Sequence, residues 1–435
     1  MRILVVGGGG REHAFVDKFR RDEPDARIFA APGNPGMAGA AELVPIAADA
    51  IGELADLAAA RRIDLTVVGP EAPLAAGIAD VFARRGLPVF GPSAAASRLE
   101  SSKAFAKRLM ARSGVPTARF AAFTDPGAAR AYVEAHAEPL VVKASGLAAG
   151  KGAIVCATRA EALGAIEGMM VEARFGDAGS EVVVEEFMEG IELSVFFIAD
   201  GERALPLLTS RDYKRIGEGD VGPNTGGMGA YSPAAPSSAA FIDTVRRRIA
   251  EPVLGALAEA GSPFRGFLYA GLMLTDEGPK VVEFNCRLGD PETQAVLPLT
   301  RSPLAEPLGR VARGEGLDDR GPEPAAGASL VTVLASAGYP ASSDRGRPIE
   351  LPEADPDVAR IYHAGTAERE GRLVTAGGRV LAVAGLGDTL EEAARNSRET
   401  AARISFEGAQ WRSDIGWHEL EPDRVPARLR GLLAG

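Results

Sequence analysis

The chain has 435 residues, of which 46% are hydrophobic and 25% charged; that balance excludes a disordered chain, and the length suggests about three domains. Its 59 acidic and 48 basic side chains leave a formal net charge of −11, which argues against the broad basic face of a nucleic-acid binder.

The apolar run after Met1 is too short for a signal peptide and gives way at once to glycines. Arg2–Val6 reads as a strand, Gly7–Gly10 as a turn and His13–Arg21 as a helix. Further apolar runs at Arg27–Ala30, Asp64–Val68 and Pro88–Phe90 each end in Gly or Pro, with Ala-rich helical stretches between them. This is the α/β pattern of a parallel sheet covered by helices. Ser97–Arg112 reads as one helix, closed by Gly114 and Pro116. From Pro139 the pattern turns α+β, with strands at Leu140–Lys143, Gly152–Cys156, Glu181–Phe187, Ile191–Ile198, Leu205–Leu208, Gly266–Leu274 and Lys280–Phe284. The last two are joined by Asp-Glu-Gly, a hairpin signal. Before that hairpin, Arg211–Arg215 leads into a long glycine-rich stretch expected to be structureless and mobile. Its uncharged part, Val221–Ile242, is long enough to span a bilayer, but its Gly, Pro and Ser content makes it a loop. Gly314–Gly327 reads as a linker. Ser329–Leu334 and Arg379–Val383 are strands, and Thr389–Ile404 is a helix.

Several segments carry chemistry. Gly9, Gly10, Arg11 and Glu12 lie between the first strand and first helix, where free N–H groups and a partial positive charge suit a phosphate; a tight turn explains the same glycines. The strict dinucleotide fingerprint fails, since Glu12 takes its third glycine position and no acid follows the second strand, which disfavours NAD. Glu71 ends the Val67–Gly69 run, where a carboxylate can accept ribose hydroxyls, although a surface glutamate is the plainer reading. Lys143 to Gly152 is a stronger signal. A strand ends in lysine and is followed by a loop interrupted at Gly146 and Gly150, then by Lys151, Gly152 and another strand. It is not a P-loop, but its lysines and N–H groups can cradle phosphates. The Val182–Glu192 run, with Glu185, Glu186, Phe187 and Glu192, suits adenine and ribose, or is an edge strand rich in acids. Strand alternation from Val281 places Glu283, Asn285 and Arg287 on one face and Val282, Phe284 and Cys286 on the other. Carboxylate and amide oxygens suit Mg²⁺ bridging nucleotide phosphates, and the arginine a phosphoryl group or carboxylate.

Two cysteines, Cys156 and Cys286, exclude a disulfide framework, and His13, His136, His363 and His418 have no metal-ligand spacing, so any metal is a hard ion on oxygen ligands. Only seven basic residues are lysines, Lys18, Lys103, Lys107, Lys143, Lys151, Lys214 and Lys280, against 41 arginines. Each lysine therefore marks a place where a compact ammonium is wanted.

Taken together, the chain resembles the ATP-grasp superfamily and, within it, the phosphoribosylamine–glycine ligase family. The resemblance runs almost end to end. It rests on Gly-Gly-Arg-Glu-His (9–13), Ala-Pro-Gly-Asn (31–34), Val-Gly-Pro-Glu-Ala-Pro-Leu (68–74) and Glu-Ser-Ser-Lys-Ala-Phe (100–105), then Gly-Leu-Ala-Ala-Gly-Lys-Gly (146–152), Gly-Pro-Asn-Thr-Gly-Gly-Met-Gly-Ala-Tyr-Ser-Pro (222–233), Glu-Phe-Asn-Cys-Arg-Leu-Gly-Asp-Pro-Glu-Thr-Gln (283–294) and His-Ala-Gly-Thr (363–366). It implies an N-terminal parallel-sheet (pre-ATP-grasp) domain over 1–102, a central ATP-grasp fold over 103–313 with a mobile lid at about 120–190, and a C-terminal mixed α/β domain over 328–435. The implied activity is purine synthesis: glycine, 5-phosphoribosylamine and ATP give glycinamide ribonucleotide, ADP and phosphate through glycyl phosphate.

The resemblance also implies roles for named residues. Lys103 and Lys143 would meet the ATP phosphates, under the loop Gly146–Gly152 that contains Gly150 and Lys151. Glu185 and the backbone of Glu186 and Phe187 would hold adenine, and Glu192 the ribose. Glu283 and Asn285 would hold Mg²⁺ or Mn²⁺, and Arg287 would steady the phosphoryl group and the glycine carboxylate. Gly9–Glu12 and Glu71 would face phosphoribosylamine, with Asp212, Lys214 and Asp290 near glycine or phosphate.

Two departures stand out. Phe267–Leu274 offers no further metal carboxylate, and Ser145 stands where the family often has Asp. Lys18, Lys107 and Lys280 read as surface positions. The expectation is a monomeric cytoplasmic enzyme acting on small molecules, with no nucleic acid and no membrane. The alternatives are another carboxylate–amine ligase and a silenced nucleotide-binding scaffold; the intact Glu283, Asn285 and Arg287 face argues against the second.

Overall fold

A computed structural model describes residues 1–148, 151–318 and 320–433. The β-branched run near the N-terminus forms the strand Arg2–Gly7, paired in parallel with Arg27–Pro32 and Leu65–Val68. Glu42–Leu43 and Val89–Phe90 complete the five-stranded parallel sheet as its edges. Leu4, Val5 and Val6 have no exposed surface, as a strand covered on both faces requires.

The helix expected over 97–112 is two helices, Ala94–Ser101 and Lys103–Ser113. Ser102 breaks it. Its backbone is extended, its hydroxyl accepts from the N–H of Phe105, and the N–H of Lys103 turns to the carbonyl of Ser145. A serine at an N-cap competes with helix continuation, and here it starts the second helix on Lys103.

Phe120–Phe123, Val182–Glu186, Leu140–Ala144 and Ala153–Cys156 form an antiparallel sheet in that order. It has its own core, including Val133, Val142, Ile166 and Val184. A second antiparallel sheet runs Ala204–Pro206, Ile191–Asp200, Arg265–Thr275, Gly278–Asn285. The Asp-Glu-Gly turn closes its last hairpin.

The glycine-rich stretch after Arg211 is not structureless. Arg211–Asp212 and Gly229–Ser232 are paired strands that join Ala328–Ala335, Arg379–Gly387 and Ala359–His363 in one sheet. Tyr231 and Ala230 are fully buried there. The small residues that read as a loop let this strand pass close to its neighbours: a Cβ on Gly229 would lie 2.5 Å from the carbonyl oxygen of Val331. Among the described residues no helix is long and apolar enough to cross a membrane.

Candidate functional site

The strand Leu140–Ala144 presents Lys143 where the two antiparallel sheets meet. Its Nζ lies 3.0 Å from Glu185 Oε2 and donates to the carbonyl of Val282 at 3.2 Å. The other oxygen of Glu185 lies 3.2 Å from Lys107 Nζ. All three side chains are buried, so Lys107 is not a surface residue. Lys18 is not one either: it is fully buried and donates to Asp22 and to the carbonyl of Ser302. Lys280 pairs with Glu277 at 2.6 Å. Among the described residues, Lys103 and Lys151 have no ion pair. Lys151 lies in the expected phosphate loop and the N–H of Lys103 bonds to Ser145 just before it; Gly150 of that loop lies outside the described residues.

Ser145 ties that loop to the start of the Lys103 helix. Its hydroxyl accepts from the N–H of Ala104 at 3.1 Å and donates to Glu181 at 3.2 Å, while its carbonyl accepts from Lys103. Glu186 is drawn outward to Arg119 at 2.6 Å, and Phe187 is 43% exposed.

Alternation along Gly278–Asn285 breaks at a bulge opposite Gly271 and Leu272. Val281 therefore joins Phe284 and Cys286 in the core, while Val282, expected on their face, lines the cleft beside Glu283. An extra residue in one strand shifts every later side chain by one face. Burial pushes the Glu283 carboxyl up, but Lys103, Lys143, Lys214 and Arg287 outweigh it and hold it below its ordinary value. Glu283 is thus an ionised carboxylate with no hydrogen bond or ion pair among the described residues. Asn285 adds an amide oxygen 3.5 Å from Arg287 Nη2. This pair fits a divalent cation. Among the described residues no group of three or more His, Cys, Asp or Glu side chains could hold one.

Arg287 is gripped from both sides. Its Nη2 lies 2.8 Å from Glu100 and its Nε 3.4 Å from Glu71. Glu100 also accepts from the N–H of Cys286 at 2.7 Å. The sequence reading gave Glu100 no role, although it opens the Glu-Ser-Ser-Lys segment. Lys107 was missed as well, although it lies one helical turn beyond Lys103 on the same face.

Across the cleft, Lys214 pairs with Glu192 and lies 3.6 Å from Asp212. Burial pushes Asp212 up to about 7, with Lys214 pulling it down and Glu292 and Glu192 pushing it further up. Glu292, also missed, is 4% exposed and accepts from Tyr269 Oη at 2.9 Å. Ser194 supports the same phenol at 2.7 Å.

The N-terminal turn meets this cluster. Glu12 accepts from the N–H of Gly9 and from Arg11 Nε, both at 2.6 Å. A Cβ on Gly7 would lie 2.6 Å from Glu12, and one on Gly69 only 1.9 Å. These glycines make room for the Glu12 side chain, which the phosphate reading of the turn did not foresee. Asn34 donates to the carbonyls of Gly8 and His363, and the N–H of His363 donates to His13 Nδ1. Asp290 accepts from Gln294 at 2.8 Å and lies 3.4 Å from Arg379. Burial pushes its carboxyl up, but Arg379 and Arg11 overcome this and hold it below its ordinary value. Segments from both ends of the chain and its middle therefore share one site.

Three profiles match the chain: "Phosphoribosylglycinamide synthetase, N domain" over residues 1–100, its "ATP-grasp (A) domain" over 101–293 and its "C domain" over 329–418. The chain is 46% identical over 424 residues to a phosphoribosylamine–glycine ligase of Vibrio vulnificus, covering 97% of this chain and 99% of that one. It is 45% identical over 432 residues to the ligase of the same description from Pseudomonas aeruginosa, covering 98% and 99%. The crystal structure of a phosphoribosylamine–glycine ligase from Thermotoga maritima superposes with a TM-score of 0.84 at 35% identity, covering 96% of this chain and all of that one. A biotin carboxylase domain from Hydrogenobacter thermophilus, solved with MgADP and bicarbonate, shares the fold with a TM-score of 0.73 at 17% identity, covering 99% of this chain and 95% of that one.

Proposed function

The chain belongs to the phosphoribosylglycinamide synthetase family, and from that premise we propose how its own residues carry out the reaction. It is an ATP-dependent ligase that joins glycine to phosphoribosylamine in purine biosynthesis. The observation that carries the site assignment is Glu283, an ionised carboxylate that has no direct partner among the described residues and faces Lys103, Lys143, Lys214 and Arg287.

Glycine's carboxylate is a poor acyl donor. Its oxygen attacks the γ-phosphorus of ATP, the bond to the β–γ bridging oxygen breaks, and ADP leaves behind glycyl phosphate. Lys103, Lys143 and Lys151 neutralise the nucleotide phosphates, and Arg287 steadies the transferring group; such positioning and charge neutralisation make up most of phosphoryl-transfer catalysis. Glu283 and Asn285 would hold Mg²⁺ or Mn²⁺, which would supply positive charge to the nucleotide phosphates. The amine of phosphoribosylamine then attacks the acyl carbon, phosphate leaves, and the nitrogen gives up a proton.

The backbone after Glu185, at Glu186 and Phe187, serves adenine, because the Glu185 carboxylate is taken by Lys107 and Lys143 and its main chain is paired within the sheet. Glu192 faces the ribose beside Lys214. Gly9–Glu12, Glu71 and Asp290 line the phosphoribosylamine side, where Arg11 supplies the cation, and Asp212 and Lys214 lie on the glycine side.

The test is ADP release measured with each substrate omitted in turn. Turnover that needs both glycine and phosphoribosylamine is expected. Turnover with another acid in place of glycine, or none with glycine, overturns the assignment.

A further inference from the structure

Lys107 closes a ring of contacts that spans three parts of the fold. From the helix Lys103–Ser113 its Nζ donates to Thr117 Oγ1 at 2.7 Å, and Thr117 Oγ1 donates to the carbonyl of Val281 at 2.6 Å. On its other side the same ammonium lies 3.2 Å from Glu185, and Glu185 lies 3.0 Å from Lys143. Lys143 returns to the carbonyl of Val282, next to the starting point. The ring thus joins the helix, the strand bearing Glu283, and two strands of the sheet that contains residues 120–186.

Its charges are unequal. Two ammoniums share one carboxylate, and all three residues are at most 4% exposed. With Lys107 absent, Glu185 would draw on Lys143 alone and pair fully with it. With Lys107 present, Lys143 keeps an unmatched share of positive charge for an anion arriving in the cleft. Buried charge pairs are screened much less than exposed ones.

We propose that Lys107 is a positioning residue of the nucleotide site: it holds Glu185 and Thr117 so that Lys143 stays aimed at, and electrostatically available to, the ATP phosphates. The proposal rests on the assignment of Lys143 to those phosphates. Lys107 itself does not touch the nucleotide.

The experiment compares Lys107→Gln, Lys107→Arg, Glu185→Gln, the Lys107→Gln/Glu185→Gln double variant and Lys143→Met by steady-state kinetics and by direct ATP binding. Lys107→Gln keeps a donor for Thr117 and removes the charge, and it should raise KM and Kd for ATP roughly tenfold or more while KM for glycine stays put. Lys107→Arg should restore most of the loss. The double variant, which leaves no uncompensated carboxylate and so guards against misfolding, should bind ATP no worse than Glu185→Gln alone. Additive losses in the double variant, or equal changes in the KM values for ATP and glycine, overturn the proposal. If Lys143→Met leaves ATP binding unchanged, the underlying site assignment fails; if it weakens binding while Lys107→Gln does not, the proposal alone fails.

Discussion

Arg11 and Arg287 donate to one carbonyl oxygen, that of Leu288, at 3.2 and 3.4 Å. Arg11 belongs to the helix after the N-terminal glycine turn, and Arg287 follows the strand that carries Glu283 and Asn285. A shared acceptor fixes the spacing of the two guanidinium groups, and with it the spacing between the proposed phosphoribosylamine side and the proposed phosphoryl-transfer side. Lysine keeps the charge of Arg287 but cannot reach Glu100, Glu71 and Leu288 together. Arg287→Lys is therefore expected to lower kcat on the order of 100-fold with the fold intact. Steady-state kinetics beside a melting curve check this, and an unchanged kcat contradicts the role given to Arg287.

Glu100 is predicted to act through Arg287. It is buried, and burial raises its carboxyl despite Arg287 and the N–H of Cys286. Glu100→Gln keeps an acceptor for Cys286 and removes the charge facing Nη2. Its expected effect is a loss in kcat of about tenfold, with KM for ATP little changed. Equal losses in the Arg287→Lys background and in wild type would show that the two residues act separately.

Much of this was legible in the sequence because chemistry and secondary structure agreed. The parallel sheet announces itself in continuous apolar runs ended by glycine, and Glu283, Asn285 and Lys143 lie at strand ends where ligands bind. The misses have local causes. Ser102 divides a helix whose periodicity continues across it, because the N–H of Lys103 has a better use at Ser145. The bulge at Val282 cannot be read from alternation, since the residues on either side remain apolar and polar in turn. Gly229–Ser232 looks like loop because glycine and serine are the residues that fit between two close strands. Lys107 and Glu100 reveal themselves only when their partners, Glu185 and Arg287, arrive from the far side of the chain.

Glu283→Gln is expected to abolish measurable turnover at ordinary Mg²⁺ concentration. Because Lys103, Lys143, Lys214 and Arg287 hold the Glu283 carboxyl below its ordinary value, the variant should melt somewhat lower than wild type at neutral pH while remaining folded. The amide cannot supply the charge that a hard cation needs, so raising Mg²⁺ or Mn²⁺ should recover part of the activity. A variant with wild-type activity and metal dependence places the cation elsewhere.

Asp212 links stability to pH. Its carboxyl sits at about 7 in the folded protein against 3.8 as a reference, so between those values the folded state holds a proton that the unfolded chain gives up. Stability from this group is fully present below about pH 4 and is lost as pH rises through 7. Asp212→Asn removes the cost while Lys214 keeps Glu192 as a partner. The variant should melt higher than wild type, by about 2–4 °C, above pH 7, and the gap should close below pH 4. A gap that widens on acidification would show that Asp212 is stabilised as a carboxylate.

Ser145 offers a sharp test of what anchors the loop after Lys143. Its hydroxyl satisfies the buried N–H of Ala104 and meets Glu181, which in turn pairs with Arg108 at 2.5 Å. Ser145→Ala leaves that N–H without a partner and should cost about 1–3 kcal/mol. It should also raise KM for ATP, since the start of the Lys103 helix loses its anchor. Ser145→Asp restores an acceptor for Ala104 but sets a second carboxylate against Glu181. Like charges at that range are relieved when one of them binds a proton, so the Ser145→Asp variant should gain stability relative to wild type as pH falls toward 5. Melting curves across pH decide the matter. A Ser145→Asp variant as stable as wild type at every pH would mean that Glu181 swings away to Arg108, and that the hydroxyl is not what fixes the loop.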